Sequence, residues 1–373
     1  MVSALLRSTI LAIAAQLALG SPMGAAPSLK VEVSSTSVRV ASVQDLKIAA
    51  SVTNTGAEAV KLLKYGTVLD DKLPTRSFAV SSKDGKAVPF TGIKVQVSLT
   101  KADDSAFVHL APGESVSTTH DVAALYDFSK AGAGSFDFAP LTDFIVVDTD
   151  AAGSTAKYVE NGRQFSRIEA SSVNSNTVSI EVTSDVAKRD LESGLQKRAS
   201  VVCSDSTKNS FIKSSYTEAK TLASTASSYV SSKGASDTLY TSYWGANDVS
   251  SVTSVLDAVA GESSSSRTLS CTDALNACSG GVIAYTATST TNVYFCDIFF
   301  DEVATTELCS GTTVAARNIR GGTTLHELTH ALSGTDDVTY GCSADQALTD
   351  DKKIINADNF NCFTTQVYAD TKC

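Results

Sequence analysis

All eight cysteines of this 373-residue chain fall after position 200: Cys203, Cys271, Cys278, Cys296, Cys309, Cys342, Cys362 and Cys373. An even count confined to one part of an exported chain reads as a disulfide framework. A cysteine-ligated metal would need reduced thiolates and close C-x-x-C spacing, and no such pair occurs. The chain therefore divides into two differently built halves, and its length suffices for two cores. Export is itself readable at the N-terminus. Arg7, an apolar run from Ile10 to Leu19 and the small-residue pattern Ala18-Leu19-Gly20 make residues 1–20 a signal peptide. That run is shorter than the roughly 20 apolar residues a membrane span needs, so the expected location is extracellular, with no membrane partner.

From Leu29 to about Val182 the sequence alternates with period two and is rich in β-branched residues, as in "LKVEVSSTSVRV", "IKVQVSLT" and "NTVSIEV". Turn signals such as "KDGK" and "APGES" separate these runs, which predicts an antiparallel β-sandwich of immunoglobulin-like size. It holds no cluster of catalytic residue types, and His109 and His120 stand apart from each other. A polar linker follows, with dibasic pairs Lys188-Arg189 and Lys197-Arg198, the second immediately before the first cysteine. Such exposed pairs are where proteases nick. Residues 21–198 are therefore expected to be a pro-segment removed after Arg198, leaving a domain of residues 199–373.

The second half is expected to be α+β, mostly helical with a small sheet. Helices are predicted over the Ser/Ala-rich stretch from Ser206, over Val249–Val259, around residues 324–333, and over Asp351–Ala369 with Ile355, Phe360, Phe363 and Val367 inward. "GGVIAYTATS" and "TNVYFCDIFF" read as strands. Residues 1–198 carry 20 Lys+Arg against 21 Asp+Glu, and residues 199–373 carry 10 against 19. An acidic domain repels nucleic acid and favours basic partners.

Two of the four histidines stand four apart in "TLHELTHALSGTDDVTYG". On a helix, His326 and His330 share one face and can hold one Zn²⁺, while Glu327 reaches a water activated by the metal. The competing reading is that Thr324-x-x-Glu327 is a capping box; it explains the glutamate but not two histidines on one face. Catalytic zinc takes three protein ligands. The second half has no other histidine, its cysteines are committed to pairing, and no glutamate follows Glu327. An aspartate must complete the set. Ser333-Gly334 ends the helix and turns the chain back, which brings Asp336 and Asp337 within reach. Spacing alone does not choose between them.

H-E-x-x-H followed by G-T-x-D-x-x-Y-G, here His326–His330 and Gly334–Gly341, resembles the signature of the deuterolysin family of fungal aspzincin metalloendopeptidases. The layout of signal, long pro-segment, dibasic site and mature domain is similar too. The resemblance implies a zincin-like catalytic domain in which Asp337 is the third zinc ligand and Tyr340 stabilises the oxyanion. Asp358, in "NAD" at 356–358, is implied to lie near the substrate's side-chain pocket. Cys203–Cys271 and Cys278–Cys296 fit the family's pairs, and Cys309–Cys373 with Cys342–Cys362 is the preferred pairing of the rest.

The implied activity is zinc-dependent hydrolysis of peptide bonds, with one zinc per mature domain. Glu327 would serve as proton carrier, and the preference would be for basic residues C-terminal to the cut and for basic proteins. The mature domain is expected to be a monomer whose other partner is its own pro-segment, acting as inhibitor or folding aid. That segment has no cysteine, so it cannot cap the zinc with a thiolate. The alternatives are a lysine-specific metalloendopeptidase of the same clan and a non-catalytic secreted zinc-binding effector. The intact Glu327 argues against the second.

Overall fold

Alternation of buried and exposed side chains along Leu29–Ser35 and Lys47–Asn54 pairs these strands antiparallel, with Val31 opposite Val52 and Val33 opposite Ala50. In the computed structural model, which describes residues 28–147, 158–160, 163–188, 191 and 200–373, this pair is the centre of one four-stranded sheet. It is flanked by Asn174–Ser175 and Ser115–Asp121. A second sheet runs Arg39–Ser42, Val178–Asp185, Gly134–Pro140, Phe78–Ser82. Val31, Ile48, Phe78, Phe136, Phe138 and Ile180 form the common core. A third sheet of five strands includes Val60–Leu63, Phe107–Leu110 and Phe144–Val147. The expected signal peptide and the pair Lys197-Arg198 lie outside the described residues.

Seven α-helices follow among the described residues: α1 (Ser206–Lys233), α2 (Thr238–Trp244), α3 (Val249–Ala260), α4 (Arg320–Ser333), α5 (Cys342–Gln346), α6 (Asp350–Lys353) and α7 (Ala357–Lys372). Helix α4 lies in the middle, packed on α1, α3, α7 and the strand Val282–Ala287. Trp244, Phe360 and Phe363 pack in one cluster with its Leu325 and Leu328, the Trp244 ring tilted on Phe360 and edge-to-face with Phe363. Its first turns come close to their neighbours because they carry little side chain. A Cβ on Gly321 would meet the Glu218 Cβ of α1 at 2.7 Å. No described helix is long and apolar enough to cross a membrane.

Three expectations are corrected. The chain as a whole is mixed α/β with four sheets among the described residues, and the expected all-antiparallel pairing of the first half is broken by two parallel pairs and joined by a third sheet. The strand Ile93–Val97 does not stay with its own half. It pairs antiparallel with Val282–Ala287 and completes a five-stranded sheet with Asn292–Phe295, Thr268–Ser270 and Ser200–Val202. Period-two alternation specifies a strand but not its partner. Finally, the last helix is broken into α6 and α7. The Asp336 N–H donates to the Ile355 carbonyl at 2.6 Å, and the Ala357 N–H donates to the Asp336 carbonyl at 3.0 Å. That two-way bond interrupts the helical ladder and leaves Ile355 exposed at 44%.

Candidate metal centre and active site

Helix α4 begins at Arg320 after Ile319, so Glu327 sits mid-helix and no capping box involves Thr324. The helix stops at Gly334, which takes φ 71° and donates its N–H to the His330 carbonyl. Residues Gly321–His330 are all buried. The threonines among them are paired: Thr323 with Glu302, Thr324 with Ser215, Thr329 with Thr335.

After the turn, residues 336–341 run back across the face of α4 and are held there by the start of α7. The Asn356 Oδ1 accepts from the Val338 and Thr339 amides, and the Asp358 Oδ2 accepts from the Gly341 amide at 2.7 Å. Consecutive side chains of this extended stretch point to opposite sides. Asp337 faces the histidines, with Oδ1 at 3.0 Å from His326 Nε2 and 3.3 Å from His330 Nε2. Asp336 faces away, toward Arg76 and Lys94, each at 3.0 Å. Geometry thus separates the two aspartates that spacing left open.

The donor set fits a metal ion on its own chemistry. His330 Nδ1 lies 2.7 Å from the Thr335 carbonyl, and His326 Nδ1 lies 3.6 Å from Asp358. The Thr335 carbonyl accepts, which fixes the His330 hydrogen on Nδ1 and leaves its Nε2 with a lone pair, and the Asp358 carboxylate on the Nδ1 side of His326 favours the same tautomer there. The two Nε2 atoms are only 3.1 Å apart. Two facing lone pairs and a carboxylate, buried together with all ligand atoms within 4.8 Å, ask for a cation between them. A proton competes for the same lone pair: burial alone would keep His326 neutral, yet Asp337 and Asp358 raise it to about 9. Burial also opposes the Asp337 charge, and the two histidines hold its carboxyl well below the usual range. Cys342 and Cys362 are joined in a disulfide, so the thiolate cluster they would form with Asp345 does not exist.

Glu327 is fully buried, and burial pushes its carboxyl up to about 8 against the opposing pull of His326 and of the Thr286 hydroxyl, which donates to it at 2.6 Å. A carboxylate tuned near neutrality can both take and return a proton. Tyr340 is buried beside Asp337, and burial raises its phenol well above 10, so it remains a donor. Its hydroxyl donates to the Val95 carbonyl at 2.5 Å.

Asp358, expected near the substrate's side-chain pocket, is fully buried, with Oδ1 bonded to Arg317 Nη2 at 2.6 Å and 3.6 Å from His326 Nδ1. Arg317, Thr286, Thr335 and Asn356 were not legible as site residues. They lie outside any ligand spacing, and only Thr335 falls inside the motif. The disulfides are Cys203–Cys271, Cys278–Cys296, Cys309–Cys373 and Cys342–Cys362, the last pair tying the end of the Asp337 loop to α7.

Comparison with known proteins agrees with this chemistry. The model of the Deuterolysin metalloprotease (M35) family matches residues 5–373. A peptidyl-Lys metalloendopeptidase of Armillaria mellea is 32% identical, covering 91% of this chain and 92% of its own. A neutral protease 2 homolog of Sclerotinia sclerotiorum is 33% identical over 89% of each chain. A solved zinc peptidase from Grifola frondosa aligns with 43% of this chain and 96% of its own, at 26% identity and a TM-score of 0.36. This chain belongs to the deuterolysin metalloprotease family and is a metalloendopeptidase.

Proposed function

We propose that the protein is a secreted, zinc-dependent endopeptidase made as a latent precursor, with one zinc held by His326, His330 and Asp337. The observation that carries this reading is the pair of Nε2 atoms 3.1 Å apart closed by Asp337, with Glu327 next to His326 in α4 and the Tyr340 ring 6.5 Å from the His326 ring. Zinc supplies Lewis acidity there, polarising a carbonyl and making a water easier to deprotonate. Glu327 takes the proton of the attacking water and passes it to the leaving amine. Tyr340 donates to the carbonyl oxygen as it gains charge. Arg317 and Asp358 keep His326 in the ligating tautomer.

Residues 21–198 serve as pro-segment, removed after Lys197-Arg198, and the active form is a monomer. A preference for basic substrates is supported by the acidity of residues 199–373 and by Asp336, which receives both Arg76 and Lys94. Strict cleavage before lysine is the second reading, favoured by the name of the Armillaria relative. A cleavage profile on mixed peptides separates the two.

The decisive experiment is Glu327→Gln in the processed protein. Zinc should be retained while peptide hydrolysis falls to background. Undiminished hydrolysis would defeat the assignment.

A further inference from the structure

The strand Ile93–Val97 does more than complete a sheet. Without it, Val282–Ala287 would be an edge, with one row of backbone donors and acceptors open to an extended peptide. The pairing runs from Ile93 opposite Ala287 to Val97 opposite Val282. The Thr288 amide extends it by donating to the Gly92 carbonyl, and the Ser98 amide extends the other end by donating to the Gly281 carbonyl, both at 2.9 Å. The fit is close: a Cβ on Gly281, at φ 86°, would meet the Ala102 Cα at 2.6 Å.

One peptide bond of that strand lies over the catalytic residues. The carbonyl of Val95 accepts from the Tyr340 hydroxyl, and the Val95 amide donates to Asp337 Oδ2 at 3.0 Å. A donor on the carbonyl oxygen, beside the proposed metal ligands, is what hydrolysis of the Val95–Gln96 bond would require. The neighbouring side chain is gripped as well. Lys94 Nζ lies 2.8 Å from the Gly334 carbonyl, against the Thr335 carbonyl, and 3.0 Å from Asp336. Carbonyls at a helix C-terminus and a carboxylate make a cation seat. On the same sheet face, Gln96 is fully buried and neither atom of its amide has a partner. The groove thus satisfies a lysine at one position and holds the glutamine two residues on without satisfying it.

We infer that Ile93–Val97 occupies the substrate groove in the polarity of a substrate, with Val95–Gln96 in the register of the bond to be cut. We further infer that Asp336, with the carbonyls of Gly334 and Thr335, forms a subsite for a lysine or arginine one residue before the scissile carbonyl's residue. The inference rests on the metalloendopeptidase reading for its chemistry, though the occupancy can be tested without it.

The full chain carrying Lys94→Glu, which opposes Asp336, is loaded with zinc and compared with the parent before the linker is cut. At least tenfold more hydrolysis of a fluorogenic peptide is expected, together with faster amide exchange at Val282–Ala287. Val95→Pro, which removes the amide facing Asp337, should act in the same direction. Equal latency and equal exchange in both variants would overturn the occupancy. If the cut parent proves inactive, the enzymatic reading fails, and the exchange comparison alone still decides whether the strand fills the groove. For the subsite, the cut enzyme should favour peptides with lysine over serine at that position at least fivefold. Asp336→Asn should erase the preference, and no preference in the parent overturns that part.

Discussion

Asp358→Asn is the most searching single change, because one carboxylate serves both the fold and the metal. Its two oxygens accept from Arg317 and from the Gly341 amide, and Oδ1 faces His326. Asparagine keeps one acceptor and puts an NH₂ where the other was, so either Arg317 or Gly341 meets a donor. The Arg317 and Asp358 side chains are 2% and 0% exposed, so the change removes the carboxylate charge that faces a buried guanidinium. Breaking such a pair from one side costs about 3–5 kcal/mol. Loss of the group that orients a ligating histidine lowers metal affinity by about 10–100-fold. The assays are thermal unfolding with and without zinc, and competition for zinc against a chromogenic chelator. The double variant Arg317→Met, Asp358→Leu separates the effects: it should recover most of the stability and none of the metal affinity. A single variant that melts within about 2 °C of the parent and binds zinc equally well would refute the reasoning.

Tyr340→Phe should lower peptide hydrolysis by about 10²–10³-fold with zinc affinity unchanged, read by kcat and chelator competition. Gly321→Ala should destabilise the chain despite alanine's better helix propensity, since the new Cβ meets Glu218 at 2.7 Å; urea unfolding gives the sign. Glu302 is buried, and burial lifts its carboxyl from 4.5 to about 8. The folded state therefore binds this proton more tightly than the unfolded state. The resulting stability is fully present below pH 4.5 and is lost as pH rises to about 8. Glu302→Gln should flatten that slope, so the variant gains on the parent at pH 8 and not at pH 4; parallel slopes would contradict the assignment.

The metal helix was legible because rare residue types at helical spacing leave few alternatives, and the shortage of other histidines and glutamates pointed to an aspartate. The choice of Asp337 over Asp336 needed the family resemblance, since neighbours in an extended chain differ in direction and not in spacing. In the structure Asp336 faces Lys94 and Arg76 while Asp337 faces the imidazoles. The partner of Ile93–Val97 could not be read, because a strand in "IKVQV" fits any free edge. The break before α7 was invisible as well: it arises from the Asp336 backbone, about 20 residues upstream, not from a proline or glycine at Ile355. Arg317 gave no signal, being a lone arginine in a loop whose role depends on the fold around Asp358.

All four disulfides join residues within 203–373, and none crosses to the first half. While the two halves are one chain, the strand Ile93–Val97 meets Val282–Ala287 at an effective concentration set by the covalent connection and independent of dilution. A cut at the proposed processing site would leave only noncovalent contacts such as Lys94–Asp336, Lys101–Asp301 and Lys352–Asp143 to hold the halves together. Their persistence then follows bulk concentration and salt, so dilution into a large volume would complete what the cut begins.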